Sequence, residues 1–106
     1  MSGCELAVIL VTAPRGEGRR IARILLESKQ AACVNITSIR SIYWWEGKLE
    51  ESDEDLLIIK TRRDTADKTV EKIREVHPYE VPEIIVLSPE KVHKAYLDWA
   101  CASVEA

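Results

Sequence analysis

Residues 32 to 45, Ala-Cys-Val-Asn-Ile-Thr-Ser-Ile-Arg-Ser-Ile-Tyr-Trp-Trp, and residues 49 to 62, which contain Leu56-Leu57-Ile58-Ile59-Lys60-Thr61, are two strand-forming stretches separated only by Glu46-Gly47-Lys48. β-Branched and aromatic side chains suit a pleated, half-buried surface, and a glycine between two such runs permits a tight reversal. The apolar alternation Val34, Ile36 changes phase at Ile39 and again beyond it, which predicts a long strand with one or more bulges. Arms of about 14 residues, at about 3.3 Å per residue, outreach a sheet built from ordinary strands of about seven. The free part of such a hairpin needs a neighbour. Tyr43, Trp44 and Trp45 are three of only six aromatic residues in a chain without Phe. Tyr and Trp favour interfaces because one end is apolar and the other can hydrogen-bond. The pattern predicts that Tyr43, Trp44, Trp45, Glu46 and Gly47 meet another copy of the same chain.

The rest of the chain alternates element types. Leu6 to Thr12 is a short apolar run ahead of Pro14, as expected of a strand buried on both faces. Arg15 to Lys29 has helical spacing, with Ile21, Ala22, Leu25 and Leu26 on one side and a basic face of Arg19, Arg20 and Arg23. Asp64-Thr65-Ala66-Asp67 reads as a capped start to a second helix, with Ala66, Val70, Ile73 and His77 along one stripe and Pro78 as its stop. Val81 to Leu87 is a further apolar run. Ser88-Pro89 then offers an N-cap and a first-turn proline for a third helix reaching Ala102, with Val92, Tyr96 and Trp99 or Ala100 facing inward. Strand, helix, strand, strand, helix, strand, helix is the order of an α+β fold, a ferredoxin-like split βαβ sandwich with an antiparallel sheet. The long hairpin between the second and third strands and an extra C-terminal helix are its additions. Residues 1–106 are expected to form a single domain.

The composition excludes several function classes. Fifteen Lys and Arg against 18 Asp and Glu give a net charge of −3, which opposes a phosphate backbone, so no nucleic acid is expected as partner. The apolar runs Leu6 to Pro14 and Ile84 to Pro89 are far shorter than the roughly 20 residues of a membrane span, so no membrane is expected either. Nothing near Met1 to Glu5 resembles a signal peptide, which predicts a cytoplasmic protein. Cys4, Cys33 and Cys101 are odd in number and widely spaced, arguing against a disulfide framework and against a CxxC metal clip. With His77 and His93 on different elements, no nucleophile and base stand together, so no enzyme is expected.

Ala32-Cys33-Val34-Asn35-Ile36, Tyr43-Trp44-Trp45-Glu46-Gly47-Lys48, Leu57-Ile58-Ile59-Lys60-Thr61 and His77-Pro78-Tyr79-Glu80-Val81-Pro82-Glu83 stand in this order along the chain. In these motifs the chain closely resembles the CutA family of divalent-cation tolerance proteins, from the first strand to Tyr96-Leu97-Asp98-Trp99. The resemblance implies a ferredoxin-like homotrimer held by the long hairpins, with a role in tolerance of copper and other divalent metals. The copper site proposed for the family uses a cysteine near the end of the first strand and a histidine pair before the Pro-Tyr motif. Here those positions are Val11 and Val76-His77, so two of three donors are missing.

His77 has two readings. It either caps the second helix, where an imidazolium is favoured by about 0.3 to 1 kcal/mol, or it joins Glu80 and Glu83 as a nitrogen and oxygen donor set for Cu(II) or Zn(II). Tyr79 either gates that cleft or covers a turn. Cys33 reads as packed and His93 as solvent-facing. The acids Glu46, Glu50, Glu51, Asp53, Glu54 and Asp55 form a solvated face, a weak site for hard cations, or a partner for the arginines of another subunit. A second functional class is a PII-like trimeric regulatory module with no metal role. It would bind a small anionic ligand, held by the Arg-rich helix and Lys60, Arg62 and Arg63, or a protein partner at subunit clefts.

Overall fold

The computed structural model describes residues 3–105. Its elements are β1 (Leu6–Pro14), α1 (Gly18–Glu27), β2 (Cys33–Trp45), β3 (Lys48–Arg62), a 3-10 turn (Arg63–Thr65), α2 (Ala66–Val76), β4 (Ile84–Leu87) and α3 (Lys94–Ser103). The four strands form one antiparallel sheet in the order β2-β3-β1-β4. This is the expected ferredoxin-like order with the additional helix. Side chains alternate across a strand, so Ile9 and Val11 of β1 and Leu57 and Ile59 of β3 share one face. They pack there with Ile21 and Leu25 of α1 and Ile73 of α2, all fully buried.

The hairpin is longer than the sheet it belongs to. β1 pairs with β3 only from Leu6↔Arg62 to Pro14↔Glu54, whereas β2 pairs with β3 from Cys33↔Lys60 to Trp45↔Lys48. Arg40 to Trp45 and Lys48 to Asp53 therefore pair only with each other, and the molecule measures 48 Å along its length against 26 and 21 Å across. Glu46 and Gly47 both take positive φ, +50° and +80°, which matches the right-handed twist of the arms.

Several expectations are corrected. The β2–β3 register runs without a break, so there is no bulge; the apolar phase changes because the free part of the hairpin carries apolar groups on both faces. The first helix starts at Gly18 rather than Arg15. Gly16, at φ +92°, makes the preceding turn, and Asp55 of β3 accepts the Gly16 and Gly18 N–H groups at 2.9 Å each. The side chains of Asp64 and Thr65 do not cap α2: Asp64 pairs with Arg62, and the Thr65 hydroxyl donates to the Arg62 carbonyl at 3.2 Å. Ser88-Pro89 does not open α3, which begins at Lys94 after His93, itself at φ −56° and ψ 127°; a serine followed by proline permits a helix start without requiring one. Ala100 is fully buried and Trp99 is half exposed, so of those two it is Ala100 that faces inward. Cys4 and Cys101 are joined by a disulfide across a Cα separation of 6.5 Å, leaving Cys33 as the free thiol.

Candidate functional site

A cleft of about 600 Å³ runs from the end of the four-stranded sheet along the free hairpin. Its walls come from three places: Thr12 and Glu54 at the ends of β1 and β3, Ser41 to Trp45 of β2, and Tyr79, Glu80, Val81 and Glu83 of the connection between α2 and β4. The sheet register explains the meeting. Glu54 pairs with Ile39, and even steps along β2 from Ile39 reach Ser41, Tyr43 and Trp45, so these side chains leave the same sheet face as Glu54.

Tyr79 closes the inner wall. Its hydroxyl donates to Glu54 Oε2 at 2.8 Å, and its phenol is pushed up to about 12, by burial first and then by the Glu54 carboxylate. Thr12 donates to Glu83 Oε1 at 3.4 Å, and the Tyr43 hydroxyl lies 3.3 Å from Ser52 Oγ.

His77 is buried behind this wall. The Tyr79 N–H donates to its Nδ1 at 3.0 Å, so Nε2 carries the proton and donates to the Thr12 carbonyl at 2.7 Å. The ring holds the 77–83 segment against β1, and the His77 and Tyr79 rings sit 5.0 Å apart. Both nitrogens are engaged within the chain. Among the described residues no group of three His, Cys, Asp or Glu side chains is placed to hold a metal ion. One chain therefore presents no preformed copper or zinc centre around His77, Glu80 and Glu83, although the two glutamates do line one cleft.

The other candidates fall elsewhere. His93 is exposed. Cys33 lies opposite Lys60, whose buried ammonium donates to Asn35 Oδ1 and to the Ile58 carbonyl. Tyr96 of α3 has its phenol raised by burial and then by Cys33. The basic face of α1 is partly neutralised within the chain, by Arg20 with Glu17 at 2.8 Å and Arg23 with Glu27 at 2.7 Å. The acidic run is divided as well: Asp53 meets Arg15 and Arg40, Asp55 caps α1, and Glu54 turns into the cleft. Of the acids read as a solvated face, a weak cation site or a partner for another subunit's arginines, Glu54 and Asp55 are buried. Their signal is phase: Asp55 alternates with the core residues Leu57 and Ile59, and Glu54 with Leu56 and Ile58.

The fold and cleft define a ferredoxin-like α+β chain with a long projecting hairpin and a cleft along it. The chain belongs to the CutA1 divalent ion tolerance protein family, whose model matches residues 7–103. It is 43% identical over 98 residues to the divalent-cation tolerance protein CutA of Archaeoglobus fulgidus, covering 92% of this chain and 96% of that one. It is 46% identical over 94 residues to the chloroplastic protein CutA 1 of Oryza sativa, covering 87% of this chain but only 53% of the rice protein, so it spans about half of that relative. Among solved structures, CutA1 of Ehrlichia chaffeensis superposes with a TM-score of 0.93 at 34% identity, over 99% of this chain and 100% of that one. A protein described as the PII-like protein CutA from Nostoc superposes at 0.90 with 32% identity, over 93% and 97%.

Proposed function

We propose that this chain works as one domain in a homotrimeric divalent-cation tolerance protein, and that Cu(II) or Zn(II) acts at the mouth of the cleft through Glu80 and Glu83. His77 is the nitrogen donor of this reading, available only after it gives up the Tyr79 N–H or the Thr12 carbonyl. Metal binding there is therefore coupled to movement of the 77–83 segment and is weaker than at a preformed site. The observation that carries the reading is the convergence of Glu80, Glu83 and the buried Glu54 on one cleft. The trimer is supported by the free hairpin, with Trp44 72% exposed at its end, and by the apolar, exposed edge strand β4. Open edges and exposed apolar groups of this kind call for a partner.

The test is calorimetric titration of the purified protein with Cu(II), Zn(II) and Mg(II), repeated on His77→Ala. Saturable binding that disappears with His77 supports the reading. No binding tighter than about millimolar, roughly −4 kcal/mol, would remove it and favour a PII-like regulatory trimer without a metal role, a reading that the PII-like description of the Nostoc protein supports. We place the protein in the cytoplasm as part of this proposal. The Cys4–Cys101 bond stands against that placement, since cytoplasmic thiols are kept reduced; mass measurement after alkylation in a fresh cell lysate decides it, free Cys4 and Cys101 supporting the placement and an intact disulfide removing it.

A further inference from the structure

One buried carboxylate in the cleft has no counter-charge. Glu54 is 5% exposed, its Oε2 is taken by the Tyr79 hydroxyl, and no Lys, Arg or His among the described residues pairs with it. No fully buried side-chain oxygen is left without a partner among those residues, so the remaining Oε1 opens into the cleft that Glu54 lines. A buried carboxylate without a cation is costly, and an incoming positive group relieves that cost.

Aromatic rings supply the second half of the recognition chemistry. Tyr43 lines the same cleft from the sheet face that carries Glu54, Tyr79 lines it from the 77–83 segment with its hydroxyl on Glu54, and Glu80 and Glu83 add carboxylates. Aromatic faces attract organic cations within about 6 Å. A bare divalent ion wants oxygen ligands at about 2 to 2.6 Å and gains little from such walls. A volume of about 600 Å³ also lies within the range of about 300 to 1,000 Å³ typical of organic ligand sites.

We propose that this cleft takes an organic cation, a guanidinium or alkylammonium group, with Glu54 as its buried counter-charge and Tyr43 and Tyr79 as its aromatic walls. The proposal does not depend on the divalent-cation reading. The positive group comes either from a free small molecule or from an Arg or Lys side chain of a neighbouring copy of this chain.

The test titrates the full chain with methylguanidinium and tetramethylammonium chlorides, followed by tryptophan fluorescence and calorimetry, with sodium chloride at equal ionic strength as control. Mg(II) and Zn(II) form a separate arm. A free ligand predicts saturable binding of at least one organic cation, weakened about tenfold or more by Glu54→Gln, a loss of about 1.4 kcal/mol. This variant keeps an acceptor for Tyr79 while removing the charge. Tyr43→Leu removes one aromatic wall, should weaken binding as well and serves if Glu54→Gln fails to fold. If the neighbour's side chain is the occupant, free cations do not bind, and Glu54→Gln shifts the assembly toward monomer in light scattering at matched concentration. Organic cations that bind Glu54→Gln and Tyr43→Leu as tightly as the unsubstituted chain would overturn the proposal. So would a chain that binds none and whose Glu54→Gln variant assembles unchanged. Metal binding in the separate arm with neither organic signal defeats this inference alone, and the reverse pattern defeats the divalent-cation reading alone.

Discussion

Tyr79 ties the cleft to a measurable titration. An unfolded tyrosine loses its proton near pH 10, whereas the folded phenol is pushed up to about 12 by burial and by Glu54. Below about pH 10 both states keep the proton and the contribution is fully present. Between about pH 10 and 12 only the folded chain keeps it, so stability falls as pH rises through that window. Tyr79→Phe should flatten this part of the slope in urea midpoints collected across alkaline pH, and should remove one late component from the tyrosinate absorbance titration. Equal slopes for the two proteins would show that the phenol is not held by Glu54. Asp55 carries a second prediction at this scale, because its Oδ2 accepts two backbone N–H groups at the start of α1. Asp55→Ala leaves both without that acceptor and should cost about 2 to 3 kcal/mol in urea unfolding, with Asp55→Asn costing less. A loss near zero would mean that water replaces the cap. The sequence makes the His77 to Glu83 motif legible as a site, but not the state of its histidine. The acceptor for Nε2 is the Thr12 carbonyl, 65 residues away, and composition carries no trace of such a bond.

At the scale of elements, the hairpin is the most legible part of the chain and the start of α3 the least. Two runs rich in β-branched and aliphatic or aromatic residues, Val34 to Trp45 and Leu56 to Thr61, with Glu46-Gly47 as a reversal between them, mark the hairpin, so its two arms follow from short-range pattern. The apparent phase shift at Ile39 misleads because it assumes that one face is wet. In a hairpin that outruns its sheet, Ile42 at 63% exposure and Leu49 at 62% sit outside the chain's own core, and their burial depends on another molecule. Ser88-Pro89 misleads for a different reason: a serine and proline satisfy the local rule for a helix start, yet α3 begins only at Lys94. The trimer proposal gives this scale its prediction. Trp44→Glu places a charge at the most exposed of the large apolar side chains, and light scattering should show the assembly falling to monomer mass while the secondary-structure spectrum stays that of the folded chain. A variant with unchanged mass would remove Trp44 from the interface, and a monomeric unsubstituted chain would remove the trimer.

Across the whole molecule, the two chain ends are fastened to one another. Cys4 lies just before β1, a central strand, and Cys101 is buried in the last turns of α3, so their bond ties α3 to the start of β1. The odd, scattered cysteines gave no local sign of this pairing, because a separation of 97 residues is closed only by the complete ferredoxin-like topology. That same separation makes the bond consequential. Closing a loop of this length removes entropy from the unfolded chain equivalent to about 4 to 5 kcal/mol in the chain-entropy model, whatever the native contacts contribute. Reduction should therefore lower the urea midpoint at fixed protein concentration, and Cys101→Ser should reproduce the lower value without reductant. Alkylation under denaturing conditions checks the state of the sample: one thiol, Cys33, reacts in the oxidised chain and three react after reduction. If the reduced and oxidised chains unfold at the same urea concentration, the ends are held by the packing of α3 on β1 and β3 rather than by the bond. Cys101→Ser should then match both, because Ala100 and Val104 remain buried beside it.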